Sequence, residues 1–272
     1  MSSSKNTSIV RSGLGREFSF RYPAHRLIAG ITLAVGVLAG LLSLLAGEGL
    51  MAAVFSGLNS GGAAFVAWVL ARELDPPRPW TGWLAALVAG GSAIAWGPVA
   101  FAGSVLMLLL LRLVNRAAGL RLVRADRSVL LLGAVLALLV SGNGWLGIAA
   151  ALAFILDAVF TDRAENLAFA ALAWSAALVT WWRSDWPAWQ TPEPPILWAA
   201  GITLTFFLIW LWRLPRRDLG PDDRGGDFNR RRLLAAVVLA LGISLLTTFG
   251  SSTGGLDLLP LWVALLAALL PA

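Results

Sequence analysis

The sequence predicts an all-α polytopic integral membrane protein with about ten transmembrane helices, several of them short, and both termini in the cytoplasm. Three observations carry that expectation. Hydrophobic residues make up 58% of the 272 and charged residues 13%, whereas a soluble domain is roughly 45–50% apolar and about 25% charged. The charge is confined to short segments between long apolar runs, so no polar shell remains to cover a soluble core and lipid must take its place. The lysines and arginines also fall on alternate connections, the pattern that orients helices in a bilayer.

Residues 1–26 hold Lys5, Arg11, Arg16, Arg21 and Arg26 against Glu17 alone and read as a basic cytoplasmic tail. The apolar run from Leu27 lacks an A-x-A-like cleavage site before the next hydrophobic segment, so it reads as a retained span and not a removable signal. Residues 27–272 then form one transmembrane helical domain with spans at 27–46, 50–71, 82–96, 98–114, 129–141, 145–160, 167–182, 195–212, 233–249 and 258–270. Several are shorter than the ~20 residues that cross ~30 Å of hydrocarbon.

Two stretches, 82–114 and 129–160, decide the number. Each is one long helix or a hairpin broken at Gly97-Pro98 or at "SGNG" (141–144). With both as hairpins, twenty of the twenty-one Lys and Arg residues lie in the tail and in 72–81, 112–128, 161–166 and 213–232, leaving Arg183 outside. An eight-span map instead exports Arg112, Arg116, Arg121, Arg124 and Arg127. The inside bias of basic residues therefore favours ten spans in the cell (inner) membrane.

The outer loop between spans seven and eight is aromatic, with Trp181, Trp182, Trp186, Trp189 and Trp198. Interfacial anchoring accounts for such a cluster better than a stacked ligand. The prolines of 187–195 end span seven. Segment 213–232, with seven arginines and four aspartates, is expected to be a mobile cytoplasmic loop. Its basic ends suit anionic lipid headgroups at about 1 kcal/mol per charge, although topology control alone explains them.

Candidate sites come from polar residues where lipid should exclude them. "LNSGGAAF" (58–65) puts Asn59 and Ser60 near the middle of span two, on one helical face with Ser56 and Ala63. Close packing explains this through the G-x-x-x-G pairs Gly57/Gly61 and Gly36/Gly40; the sharper alternative is a break at "NSGG" lining a substrate cavity. "GLNSGG" (57–62) matches "GSSTGG" (250–255) in pattern, which chance in a Gly-rich and Ser-rich chain explains. "ARELDPPRPW" (71–80) offers Arg72, Glu73 and Asp75 as a gate or ion pair. Their expected partners are Arg112 and Arg116 in "LRLVNRAAGLRLVRAD" (111–126), which also holds Asn115 and Asp126. Asp157 lies about a turn inside the cytoplasmic end of span six, where ionisable groups tend to be paired and functional.

The expected substrate-binding set is therefore Asn59, Ser60, Asp157, Arg112 and Arg116. It points first to a transporter or permease for a small solute or lipid-linked substrate. A membrane-embedded enzyme acting on an anionic lipid, with Asp75 or Asp157 as base, is the alternative, and a structural subunit is the third reading. The absence of Cys excludes disulfides and thiol chemistry, and a single histidine, His25, excludes a multi-histidine centre. Neither a cofactor nor a metal is expected, and no basic face interleaved with aromatics calls for nucleic acid. The expected partners are the bilayer and its anionic headgroups.

Overall fold

The computed structural model describes residues 20–116, 122–183, 192, 194–216, 229–250 and 258–270. Among them are ten α-helices: α1 (Pro23–Leu45), α2 (Leu50–Leu74), α3 (Pro79–Trp96), α4 (Phe101–Asn115), α5 (Arg124–Ser141), α6 (Trp145–Thr161), α7 (Glu165–Arg183), α8 (Pro194–Arg213), α9 (Arg230–Gly250) and α10 (Leu259–Leu269). Each expected span coincides with one of them. Three helices are long and apolar enough to cross a membrane: α1, α2 and α9, with mean hydropathies of 2.4, 1.5 and 2.3. The fold fits an α-helical membrane protein. Trp186, Trp189, residues 217–228 of the arginine-rich loop and 251–255 of the second Gly-Ser pattern lie outside the described residues.

Both undecided stretches are hairpins. α3 stops at Trp96, and the chain turns with Gly97 at φ +94° before α4 begins. α5 ends on Gly142 at φ +66°. A Cβ is disfavoured at both positions, so these glycines punctuate what would otherwise read as continuous apolar rods.

The helices alternate in direction and share one polar end. Bonds across that end link the C-termini of α2, α4, α6 and α10 and the N-termini of α3, α5, α7 and α9 to one another. Arg78, at the N-cap of α3, reaches the carbonyls of Ala268 and Leu270 at 2.6 and 2.8 Å. Arg230 donates to Pro215 O just after α8, and His25 of α1 meets Trp68 of α2 edge to face. At the opposite end Trp145 stacks edge-on with Trp181 at 5.1 Å and donates its indole N–H to Gly250 O. α4 occupies the centre, packed against α2, α5, α6, α9 and α10, whereas α8 lies at the edge against α10. Of the exposed tryptophans among the described residues, Trp96, Trp182 and Trp198 lie at one end and Trp80 and Trp212 at the other, with Trp174 midway along α7.

α2 runs unbroken through 58–65, so the break considered at "NSGG" does not occur. The reason is contact with α1. A Cβ on Gly57 would stand 2.7 Å from Gly36 O, one on Gly36 2.9 Å from Gly57 O, and one on Gly61 2.8 Å from Thr32 O. Glycine costs about 1 kcal/mol in a helix interior relative to alanine, and here the close backbone approach offsets that cost through packing.

Candidate functional site

Polar side chains from six helices gather at the shared polar end. α2 contributes Glu73, whose carboxylate accepts from Arg112 Nε of α4 at 2.9 Å. Asn115, one turn on from Arg112, donates to the Glu73 carbonyl at 2.7 Å. This bond satisfies one of the open carbonyls at the end of α2 and fixes α4 against it. Glu73 and Asn115 are both buried.

The next residue, Arg116, ends α4 in the left-handed region at φ 50°. A non-glycine residue there carries strain of about 1 kcal/mol or more, and the turn aims the guanidinium away from Glu73. Its Nη2 meets Asp157 Oδ1 of α6 at 2.7 Å. The other Asp157 oxygen accepts from Asn166 Nδ2 of α7 at 3.0 Å. Arg232 of α9 approaches the same Oδ1 at 3.6 Å, donates to Val114 O at 2.9 Å, and lies over the Phe160 ring at 4.8 Å. Asp157 is fully buried, while the Arg116 and Arg232 side chains remain 14% and 9% exposed.

Electrostatics at this point favour an anion. Burial pulls the Arg116 guanidinium below its ordinary value, the Asp157 carboxylate pushes it back up, and the positive fields of Arg127 and Arg163 lower it again. Arg127 is itself buried and pairs with Glu165 of α7. Because Glu165 is 45% exposed, water screens that pair from the α7 side. Among the described residues, two arginines thus face one sequestered carboxylate, which leaves one unit of positive charge in surplus around Asp157.

The remaining expected residues lie elsewhere. Asp75 pairs locally with Arg78 at 2.6 Å, a partner three residues away that needs no tertiary closure. That arginine in turn holds the end of α10. Arg72 donates to Pro76 O at 2.7 Å. Asp126 accepts the Val123 N–H and starts α5. Asn59 and Ser60 sit about 21 Å along α2 from Glu73, at 1.5 Å per residue. Ser60 is buried. Asn59 makes a two-way bond with Val99 in the α3–α4 turn: Nδ2 donates to the carbonyl at 2.9 Å and Oδ1 accepts the N–H at 2.8 Å. The structure therefore joins Arg116 to Asp157 and Arg112 to Glu73, and it places Asn59 and Ser60 outside that group.

Arg232, Asn166 and Arg127 belong to the cluster and are absent from the expected set. Arg232 left a trace in the sequence. Three arginines open α9, where the helix dipole disfavours cations, so a counter-charge from another element had to lie nearby. Asn166 gave no comparable sign.

A scan against protein-family models finds no match, and searches of curated proteins and of solved structures find none either. Among the described residues, no group of three or more His, Asp or Glu side chains is placed to hold a metal ion.

Proposed function

We propose that the chain crosses the cell (inner) membrane ten times with both termini in the cytoplasm. In this reading it acts as a transporter or permease for a small anionic solute or lipid-linked substrate recognised at the arginine-rich end. The observation that carries the reading is the buried Asp157 carboxylate set between Arg116 and Arg232. Surplus positive charge in a low-dielectric site attracts an anion far more strongly than it would in water. The site is built by α4, α6, α7 and α9, so an anion that replaces Asp157 alters contacts among four helices at once. A ligand with different affinity for two packings shifts the balance between them, which is what alternating access requires.

Sidedness supports the topology: the arginine-rich ends lie together, and both short hairpins return to that end. The alternative of a lipid-acting enzyme draws support from the same meeting of carboxylate and arginines at the interface. One expected participant, Asp75, is engaged by Arg78, which also holds the end of α10.

The test begins with mass spectrometry of anions and lipids retained by the purified protein, followed by uptake of the retained compound into proteoliposomes. Uptake should exceed that of protein-free vesicles and fall at least tenfold in Arg232→Gln. Equal uptake by protein-free vesicles would remove the transport reading.

A further inference from the structure

The donors around Asp157 exceed what a carboxylate uses. Its Oδ1 takes one bond from Arg116, and Arg232 stands beyond hydrogen-bond range of it at 3.6 Å. Arg116 Nε, Asn166 Oδ1 and Asn115 Oδ1 are buried with no hydrogen-bond partner. Asn166, fully buried, already grips Asp157 through its amide nitrogen, so its open oxygen belongs to the same site. The unmet set is thus one guanidinium donor, a second guanidinium held at a distance, and an acceptor beside them.

We propose that Asp157 is a built-in stand-in for a phosphoryl group, which displaces the carboxylate and binds Arg116, Arg232 and Asn166. The inference rests on the anion-handling reading above and names its substrate class. Inorganic phosphate as HPO4 2− carries about −2 charges and keeps one P–O–H, matching two guanidiniums where Asp157 matches one. Its tetrahedral oxygens supply acceptors for Arg116 Nη2 and Nε together and for Arg232, and arginine forks suit such oxyanions. Its residual P–O–H donates to Asn166 Oδ1. A sulfate ion has no proton to give that oxygen, and a monocarboxylate leaves the same charge surplus that Asp157 leaves. The partial exposure of Arg116 and Arg232 provides the approach.

Full-length protein in detergent micelles is titrated with inorganic phosphate and, at equal ionic strength, with sulfate, following thermal unfolding and Trp fluorescence. Phosphate should stabilise saturably and bind at least tenfold tighter than sulfate. Asp157→Asn should bind phosphate at least tenfold tighter than the wild type, because the competing charge is gone. Asn166→Asp keeps an acceptor for the arginines while adding a negative charge, and it should lose phosphate binding. Equal responses to the two ions, or weaker phosphate binding by folded Asp157→Asn, overturns the proposal. If Asp157→Asn does not fold, Asn166→Asp decides, and wild-type phosphate binding by it is equally fatal. Nanodiscs containing phosphatidic acid distinguish a lipid monoester from free phosphate by which binds tighter. Uptake of a solute without phosphate sinks this inference and leaves transport standing, whereas phosphate binding without translocation does the reverse.

Discussion

At the scale of single residues, the amide of Asn59 behaves as a piece of backbone. It pairs with both the N–H and the carbonyl of Val99 and completes a turn that neither α3 nor α4 serves. Irregular backbone at membrane depth survives only where protein covers it. Asn59→Ala should therefore cost about 2–4 kcal/mol through two buried groups left unpaired, read as lower yield and earlier thermal unfolding. A loss of uptake at unchanged stability would instead return Asn59 to the substrate path. The Glu73–Arg112 pair was readable from a carboxylate and an arginine at two charged helix ends. The Arg232–Asp157 approach was not, since it depends on how α9 packs against α6 with two α-helices between them in the chain.

At the scale of elements, every helix was legible because apolar runs and their Gly, Pro and charged boundaries are local properties. Pairing between helices is a tertiary property, announced only by small-residue spacing and by the Glu73 and Arg112 charges. The Gly36, Gly40, Gly57 and Gly61 seam predicts that Gly57→Val separates α1 from α2, because its first added atom falls 2.7 Å from a backbone oxygen that cannot yield. The expected readout is loss of monodisperse protein in gel filtration; an unchanged elution profile contradicts the seam. The arginine clasp on α10 yields a second expectation. Arg78→Ala removes bonds to Asp75, Ala268 and Leu270, so hydrogen exchange across 259–270 should accelerate at least tenfold while α2 stays protected. Equal protection in both would show that packing alone holds α10.

At the scale of the whole molecule, the arrangement rests on two hairpins where continuous rods were the rival. Charge distribution chose between them, and the bends at Gly97 and Gly142 show the physical means. A reporter fused after Asn143 should signal outside the cell and one after Asp162 inside; a cytoplasmic signal at Asn143 would cancel the ten-crossing map.

The tryptophan rings at the two ends carry one more consequence. Trp80 and Trp96 on α3 are separated by about 24 Å, and Trp198 and Trp212 on α8 by about 21 Å, at 1.5 Å per residue. Both intervals fall short of the ~30 Å of an average hydrocarbon layer. A protein girdled at that spacing is mismatched to thick membranes, which must compress around it at a cost of fractions of a kcal/mol per Å. It should accordingly prefer short acyl chains and gather where the lipid sheet is thinnest.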